Sequence, residues 1–266
     1  MARAASRNTA ARSGHSTVDP EEIARFTALA EAWWDPDGEF RPLHRLNPTR
    51  IAFIRDRVAA HHRRDPLKAR PLRGLTLLDV GCGGGLLSEP MARLGARVTG
   101  IDAAEKSIHI ARAHAEQSEL SIDYRHATAE ALAQDIIPGG GGFDVVLNME
   151  VVEHVANLDT FLAATSALVK PGGAMVVATL NRTAKAFALA VVGAEYVLGW
   201  LPRGTHDWRK FVRPSELAAG LRPHGGEIRE FTGVAYNPIT DKWGLSPDLS
   251  VNYMAFAVTG KGKRRA

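Results

Sequence analysis

Two groups of residues in this chain have the types and spacing to do chemistry. The first is Asp79, the glycines Gly81, Gly83, Gly84 and Gly85, and Asp102. The second is Glu150, Glu153 and His154, at i, i+3 and i+4. In the first, an apolar run enters the turn Asp79-Val80-Gly81-Cys82-Gly83-Gly84-Gly85. A second apolar run ends at Asp102, 17 residues after Gly85. This spacing predicts a strand, a tight turn, a helix and a second strand with a carboxylate at its tip. In an open α/β sheet that arrangement binds a nucleoside at the carboxyl ends of the strands. Glycine lets the backbone approach such a ligand closely. A carboxylate at Asp102 can accept hydrogen bonds from two ribose hydroxyls.

Spacing also selects the nucleotide. In the dinucleotide fingerprint G-x-G-x-x-G the third glycine allows close helix–strand packing. Counted from Gly81, that position is Leu86. No Gly-Lys-Ser/Thr follows, which argues against a P-loop. Asp79 would repel a pyrophosphate and attract a cationic amino group. S-adenosylmethionine fits these demands: it has an adenosine, an ammonium and a sulfonium, and no phosphate. A dinucleotide enzyme and a non-binding α/β protein stay open as alternatives.

The second group follows the fourth expected strand. If Glu150 to His154 is helical, the three side chains share one face. Two carboxylates and an imidazole can bind a divalent cation such as Mg²⁺. His154 alone can act as a general base near neutral pH, with Glu153 beside it. Glutamates are also favourable in a helix's first turn without any catalytic role. Met149, at the strand tip, can place its thioether against the nucleoside.

These residues need a scaffold. Strands are expected near 75–80, 97–102, 121–126, 143–148 and 174–180, with helices near 86–94, 104–118, 129–135 and 157–169. That alternation gives an α/β fold with a doubly wound, mostly parallel sheet covered on both faces. Runs at 227–236 and 252–259 can add an antiparallel edge. Before the sheet, Asp19-Pro20-Glu21-Glu22 reads as a capping-box helix start, and that helix runs to about Trp34. A second helix is expected from Pro48 to His62. The expected domains are a disordered basic leader at 1–18, a helical cap and linker at 19–73, a catalytic domain at 74–260 and a basic tail at 261–266. An insertion at 182–213 follows the fifth strand and is too long for an ordinary connection.

Composition narrows the class. The chain has 266 residues, 45% of them hydrophobic and 23% charged, as in a soluble globular domain. No apolar run is long enough to span a bilayer, and no secretory signal is visible. The single Cys82 rules out an internal disulfide and suits a reducing cytosol; it reads as a small space-filler. Arg3, Arg7, Arg12, Lys261, Lys263, Arg264 and Arg265 outweigh the net charge of +4. The body is therefore mildly acidic, and nucleic acid is a poor partner. The apolar run Phe187 to Leu201, flanked by Arg182, Lys185, Arg203, Arg209, Lys210 and Arg213, suits a lid, an oligomer contact or a peripheral membrane patch.

Several segments carry a resemblance. They include Trp33-Trp34-Asp35, Pro42-Leu43-His44-Arg45, Asn47-Pro48-Thr49-Arg50, Thr179-Leu180-Asn181-Arg182, Gly204-Thr205-His206-Asp207 and Tyr236-Asn237-Pro238-Ile239-Thr240. With the glycine turn, they resemble the bacterial ubiquinone-biosynthesis O-methyltransferases, class I S-adenosylmethionine-dependent enzymes of Rossmann-like fold. The resemblance spans residues 19 to about 258. It implies methylation of a polyprenyl catechol at two steps of ubiquinone synthesis. It also implies that Arg50 meets the cofactor's carboxylate, Gly81 its methionine portion, Asp102 the ribose and Met149 the nucleoside, with Gly83 also among the cofactor-binding residues. In some members a divalent cation would sit on Glu150, Glu153 and His154. A cytoplasmic enzyme, peripheral to the inner face of the membrane and in contact with other ubiquinone-biosynthesis proteins, is the expected setting. A methyltransferase for another phenol or lipid, and a non-catalytic assembly subunit, remain as rivals.

Overall fold

The computed structural model describes residues 17–137, 141–191, 207–237 and 240–260. Eight strands build one sheet: β1 (Thr76–Val80), β2 (Arg97–Asp102), β3 (Asp123–His126), β4 (Phe143–Met149), β5 (Val169–Leu180), β6 (Gly226–Asn237), β7 (Lys242–Ser246) and β8 (Asn252–Thr259). Their order is β3-β2-β1-β4-β5-β8-β6-β7. The first five in that order are parallel. β8 then pairs antiparallel with β5, β6 with β8 and β7 with β6. The expected edge pair at 227–236 and 252–259 is thus present. β7 was not expected: Lys242-Trp243-Gly244-Leu245-Ser246 is too short and too mixed to stand out as a strand.

Side-chain alternation builds two cores. Leu77, Val145, Leu147 and Val176 face one layer with Phe53, Ile54 and Met91. Leu78, Val146, Met175 and Val177 face the other with Leu132, Phe161, Leu162 and Leu217. The helices that supply these layers are α2 (Arg41–His61), α3 (Ser88–Arg93), α5 (Ala129–Ile136), α6 (Leu158–Ala167) and α8 (Pro214–Leu221). Buried Cys82 joins a smaller cluster with Ile108, Ala111 and Tyr124 against α4 (Glu105–Gln117), in keeping with a space-filling role.

The N-terminal cap departs from expectation in three places. α1 (Pro20–Leu29) is capped by Asp19, whose side chain accepts from the Glu21 amide at 3.1 Å. Glu22 does not complete a capping box; it bonds Arg25 and faces His154. α2 begins at Arg41 rather than Pro48. Pro42 lies in its first turn, where a missing N–H costs nothing. Pro48 is tolerated inside the helix, and neighbouring Asn47 bonds the Leu86 carbonyl instead. Thr17 and Val18 belong to the folded unit. Val18 bridges Val155, the Ala156 amide donates to the Thr17 carbonyl at 2.7 Å, and the Thr17 hydroxyl bonds Glu130. The leader at 1–16 and the tail at 261–266 lie outside the described residues.

Of the insertion, the short α7 (Ala184–Ala186) and the segment around Trp208 are described; 192–206 lies outside. No described helix is long and apolar enough to cross a membrane.

Candidate active site

The sheet order reverses between β1 and β4, where two chain directions leave a crevice at the carboxyl ends of the strands. A cavity of about 930 Å³ opens there. Asp79, Gly81, Asp102, Met149, Arg50, Glu150, Glu153 and His154 all line it. The structure therefore brings the two sequence-derived groups to one place. Gly83 stands one residue behind the lining.

Asp102 ends β2 and is fixed by its own neighbourhood. Its Oδ2 accepts from the Gly83 amide at 2.9 Å and its Oδ1 from the Ala104 amide at 2.7 Å. Each ionised carboxylate oxygen has a second lone pair, so the group is oriented yet still able to accept. Burial pushes its pKa up, against those two amide bonds. Asp79 is 2% exposed and accepts from the Ser88 hydroxyl at 2.6 Å. Burial, opposed by Ser88 and helped by the nearby Asp102 charge, pushes its pKa up to about 7. A cation placed beside it would reverse that cost. This is the electrostatic setting expected for a ligand ammonium.

The glycine turn serves protein packing as well as a ligand. Gly83 has φ +53°, and a side chain there would run into the Trp33 ring. Gly81 has φ +67°, and its added Cβ would lie 2.6 Å from Val151. Trp33 stacks on Phe40 with centroids 3.7 Å apart and donates to Ser107 at 3.2 Å. The Trp34 indole donates to the Gly84 carbonyl at 2.9 Å. The cap thus closes directly over the turn. In the sequence these tryptophans signalled only a resemblance.

The second group is arranged differently from expectation. Glu150 adopts φ +59°, a left-handed conformation that ends β4 and breaks helical phase. Residues 152–154 form a turn and Val155 a β-bridge, so the three side chains do not share a helix face. Arg50, 3% exposed, pairs with Glu150 at 2.6 Å. Buried Glu153 accepts from the Thr179 hydroxyl at 2.8 Å, while its other oxygen has no partner. Burial, then the neighbouring Glu150 charge, raise its pKa well above the ordinary carboxylate range. His154 turns to Glu22: Nδ1 lies 3.1 Å from Oε2. That is an ion-pair distance, without the alignment of a good hydrogen bond. Burial pushes the Glu22 carboxyl up, but His154 and Arg25 bring it below its ordinary value.

Among the described residues, no set of three or more His, Cys, Asp or Glu side chains converges to hold a metal ion. The expected cation site on Glu150, Glu153 and His154 is not formed by this geometry. Each donor is committed to a different protein partner.

Comparison with known proteins agrees with this geometry. Residues 78–177 match the methyltransferase domain family. A ubiquinone biosynthesis O-methyltransferase of Paramagnetospirillum magneticum is 61% identical over 92% of this chain and 96% of its own length. One from Parvibaculum lavamentivorans is 57% identical over 92% and 96%. Among solved structures, a magnesium protoporphyrin IX methyltransferase of Synechocystis with bound SAH superposes with a TM-score of 0.60. It is 19% identical, covering 90% of this chain and 94% of that one, and so shares the fold. With the class I methyltransferase fold and relatives of this identity over nearly the whole length, the chain belongs to the ubiquinone biosynthesis O-methyltransferase family.

Proposed function

We propose that this protein methylates a phenolic oxygen of polyprenyl catechol intermediates in ubiquinone biosynthesis, with S-adenosylmethionine as donor. The two steps are 2-polyprenyl-6-hydroxyphenol to its methoxyphenol and 3-demethylubiquinol to ubiquinol. The observation that carries the reading is one cavity joining the strand-tip carboxylates Asp79 and Asp102 to His154. When bound, the cofactor supplies an activated methyl group on a sulfonium. Asp102 would hold the ribose, Asp79 the ammonium and Met149 the nucleoside. Gly81 would lie against the methionine portion, with Gly83 supporting the turn behind it against Trp33. Arg50 keeps further guanidinium donors for a carboxylate beside its pair with Glu150.

A phenol resembling tyrosine ionises near pH 10, so the site has to remove a proton. His154 is the base in this proposal. His154 would take the proton of the phenolic O–H, leaving the oxygen lone pair free for the methyl group, whose bonding pair would stay with the cofactor's sulfur. Alignment of oxygen, carbon and sulfur supplies much of the rest. Glu153, buried and bonded to Thr179, would shape the acceptor side.

A divalent cation has one observation in its favour, the unpartnered buried oxygen of Glu153 beside Glu150. The donors as arranged do not fit one. A radiolabelled methyl-transfer assay with a short-chain polyprenyl catechol, with and without chelator, tests both points. Transfer retained in chelator supports His154 as base. Loss in chelator with recovery on Mg²⁺ overturns that assignment.

Peripheral membrane contact is a second reading, favoured by Phe187 and Leu189 at 46% and 54% exposure. Its electrostatic part is weaker than the sequence suggests. Arg182 pairs with Glu216, Lys185 with Asp248, Arg209 with Asp207 and Lys210 with Asp19. Apolar contact would therefore contribute more than charge.

A further inference from the structure

We infer that Glu22, from the N-terminal cap, is the positioning residue that sets the ring orientation and tautomer of His154. The inference rests on the reading of His154 as the base. Glu22 and His154 come from segments more than a hundred residues apart, yet Oε2 lies 3.1 Å from Nδ1. Their side chains are 14% and 15% exposed, and both line the cavity. Three further contacts hold the pair in place. Arg25 holds the other Glu22 oxygen at 2.7 Å. Phe26, one helical turn from Glu22, sets its ring at 89° to the imidazole with centroids 5.5 Å apart. The bridge between Val18 and Val155 ties the chain just before α1 to the residue after His154.

The chemical consequence follows from the imidazole's two nitrogens. A carboxylate is an acceptor only, and its negative charge 3.1 Å from Nδ1 favours the proton on that nitrogen. Nε2 is then left with the free lone pair. The same carboxylate stabilises the imidazolium formed once the phenol's proton arrives. In sequence, Glu22 looks like the N3 member of a capping box that Asp19 opens. The structure diverts it from that task, and Asp19 caps α1 alone.

Glu22→Ala is expected to lower kcat by roughly 10- to 100-fold, a part of what a general base contributes. KM for the catechol and Kd for S-adenosylmethionine should stay near wild type. Nitrogen NMR of the wild type should show His154 protonated on Nδ1, and in Glu22→Ala the signal should shift toward the Nε2-protonated form. Glu22→Gln retains the volume, so it decides the matter if the alanine variant fails to fold. Its kcat should also fall, and Glu22→Asp should restore part of it. Exposed Glu21→Ala, on the same helical turn, should leave kcat unchanged. Unaltered kcat in both Glu22→Ala and Glu22→Gln, or an unchanged tautomer, overturns the inference while His154 stays the base. Wild-type turnover in His154→Ala would instead refute the base assignment itself.

Discussion

The two halves of the cavity are built by different means. The nucleoside half comes from regular structure: β1 ends near Asp79, β2 ends at Asp102, and the turn between β1 and α3 is glycine. Its carboxylates are set by nearby amides and a hydroxyl. The acceptor half comes from turns after β4, joined to side chains distant in sequence. Arg50 reaches it from α2, Glu22 from α1 and Thr179 from β5. A site held by local bonds can be read from a short motif, whereas one held by tertiary contacts cannot.

The largest effect expected is on the acceptor half. His154→Ala should cut turnover by about 10²- to 10⁴-fold with little change in cofactor affinity. Steady-state kinetics beside isothermal titration would show it. A weakened cofactor Kd with unchanged turnover would erase the distinction between the halves.

Asp102→Ala should do the opposite, weakening S-adenosylmethionine binding by roughly 10- to 1000-fold through loss of charge-assisted hydrogen bonds. Titration with the cofactor checks this, and an unchanged Kd removes Asp102 from the site. NADH should show no saturable binding.

Asp79→Asn sharpens the comparison through pH. The folded pKa of about 7 lies above the ordinary 3.8. A raised carboxyl stabilises the fold at low pH, and that contribution fades as pH rises through the folded value. The cofactor-free wild type should therefore lose thermal stability between about pH 4 and pH 7 from this group. The asparagine variant should lose less, while binding the cofactor roughly 10- to 100-fold more weakly. Thermal melts across pH, with and without cofactor, measure both. A variant that binds as tightly as wild type would show that Asp79 meets no cation.

Gly83→Ala should produce a smaller loss of stability, about 1–3 kcal/mol, from overpacking against Trp33. Combining it with Trp33→Ala should recover part of that loss in thermal melts. Strict additivity would mean that the glycine is needed for the ligand or for its backbone angle alone.

The same division explains what the sequence revealed. The five parallel strands, their helices and the acid–glycine–acid pattern were legible because alternation and turn chemistry are local. α2 was misplaced because Pro48 looked like a helix start, although Pro42 already provides one. The Glu-x-x-Glu-His spacing suggested a helix face and a metal. One left-handed residue, Glu150, undoes that phase, and no periodicity reports it. Glu22 was visible only as a capping residue because its partner, His154, lies more than a hundred residues further along the chain. Trp33 and Trp34 gave no physical signal of the turn beneath them.

The most direct test of a cofactor half and an acceptor half is single-turnover methyl transfer to a short-chain polyprenyl catechol. It should be run for wild type, Asp102→Ala and His154→Ala as S-adenosylmethionine is raised to saturation. The two-half account predicts that Asp102→Ala approaches the wild-type rate once saturated, whereas His154→Ala stays slow at every concentration. Full recovery of His154→Ala, or a saturated Asp102→Ala as slow as His154→Ala, would contradict it.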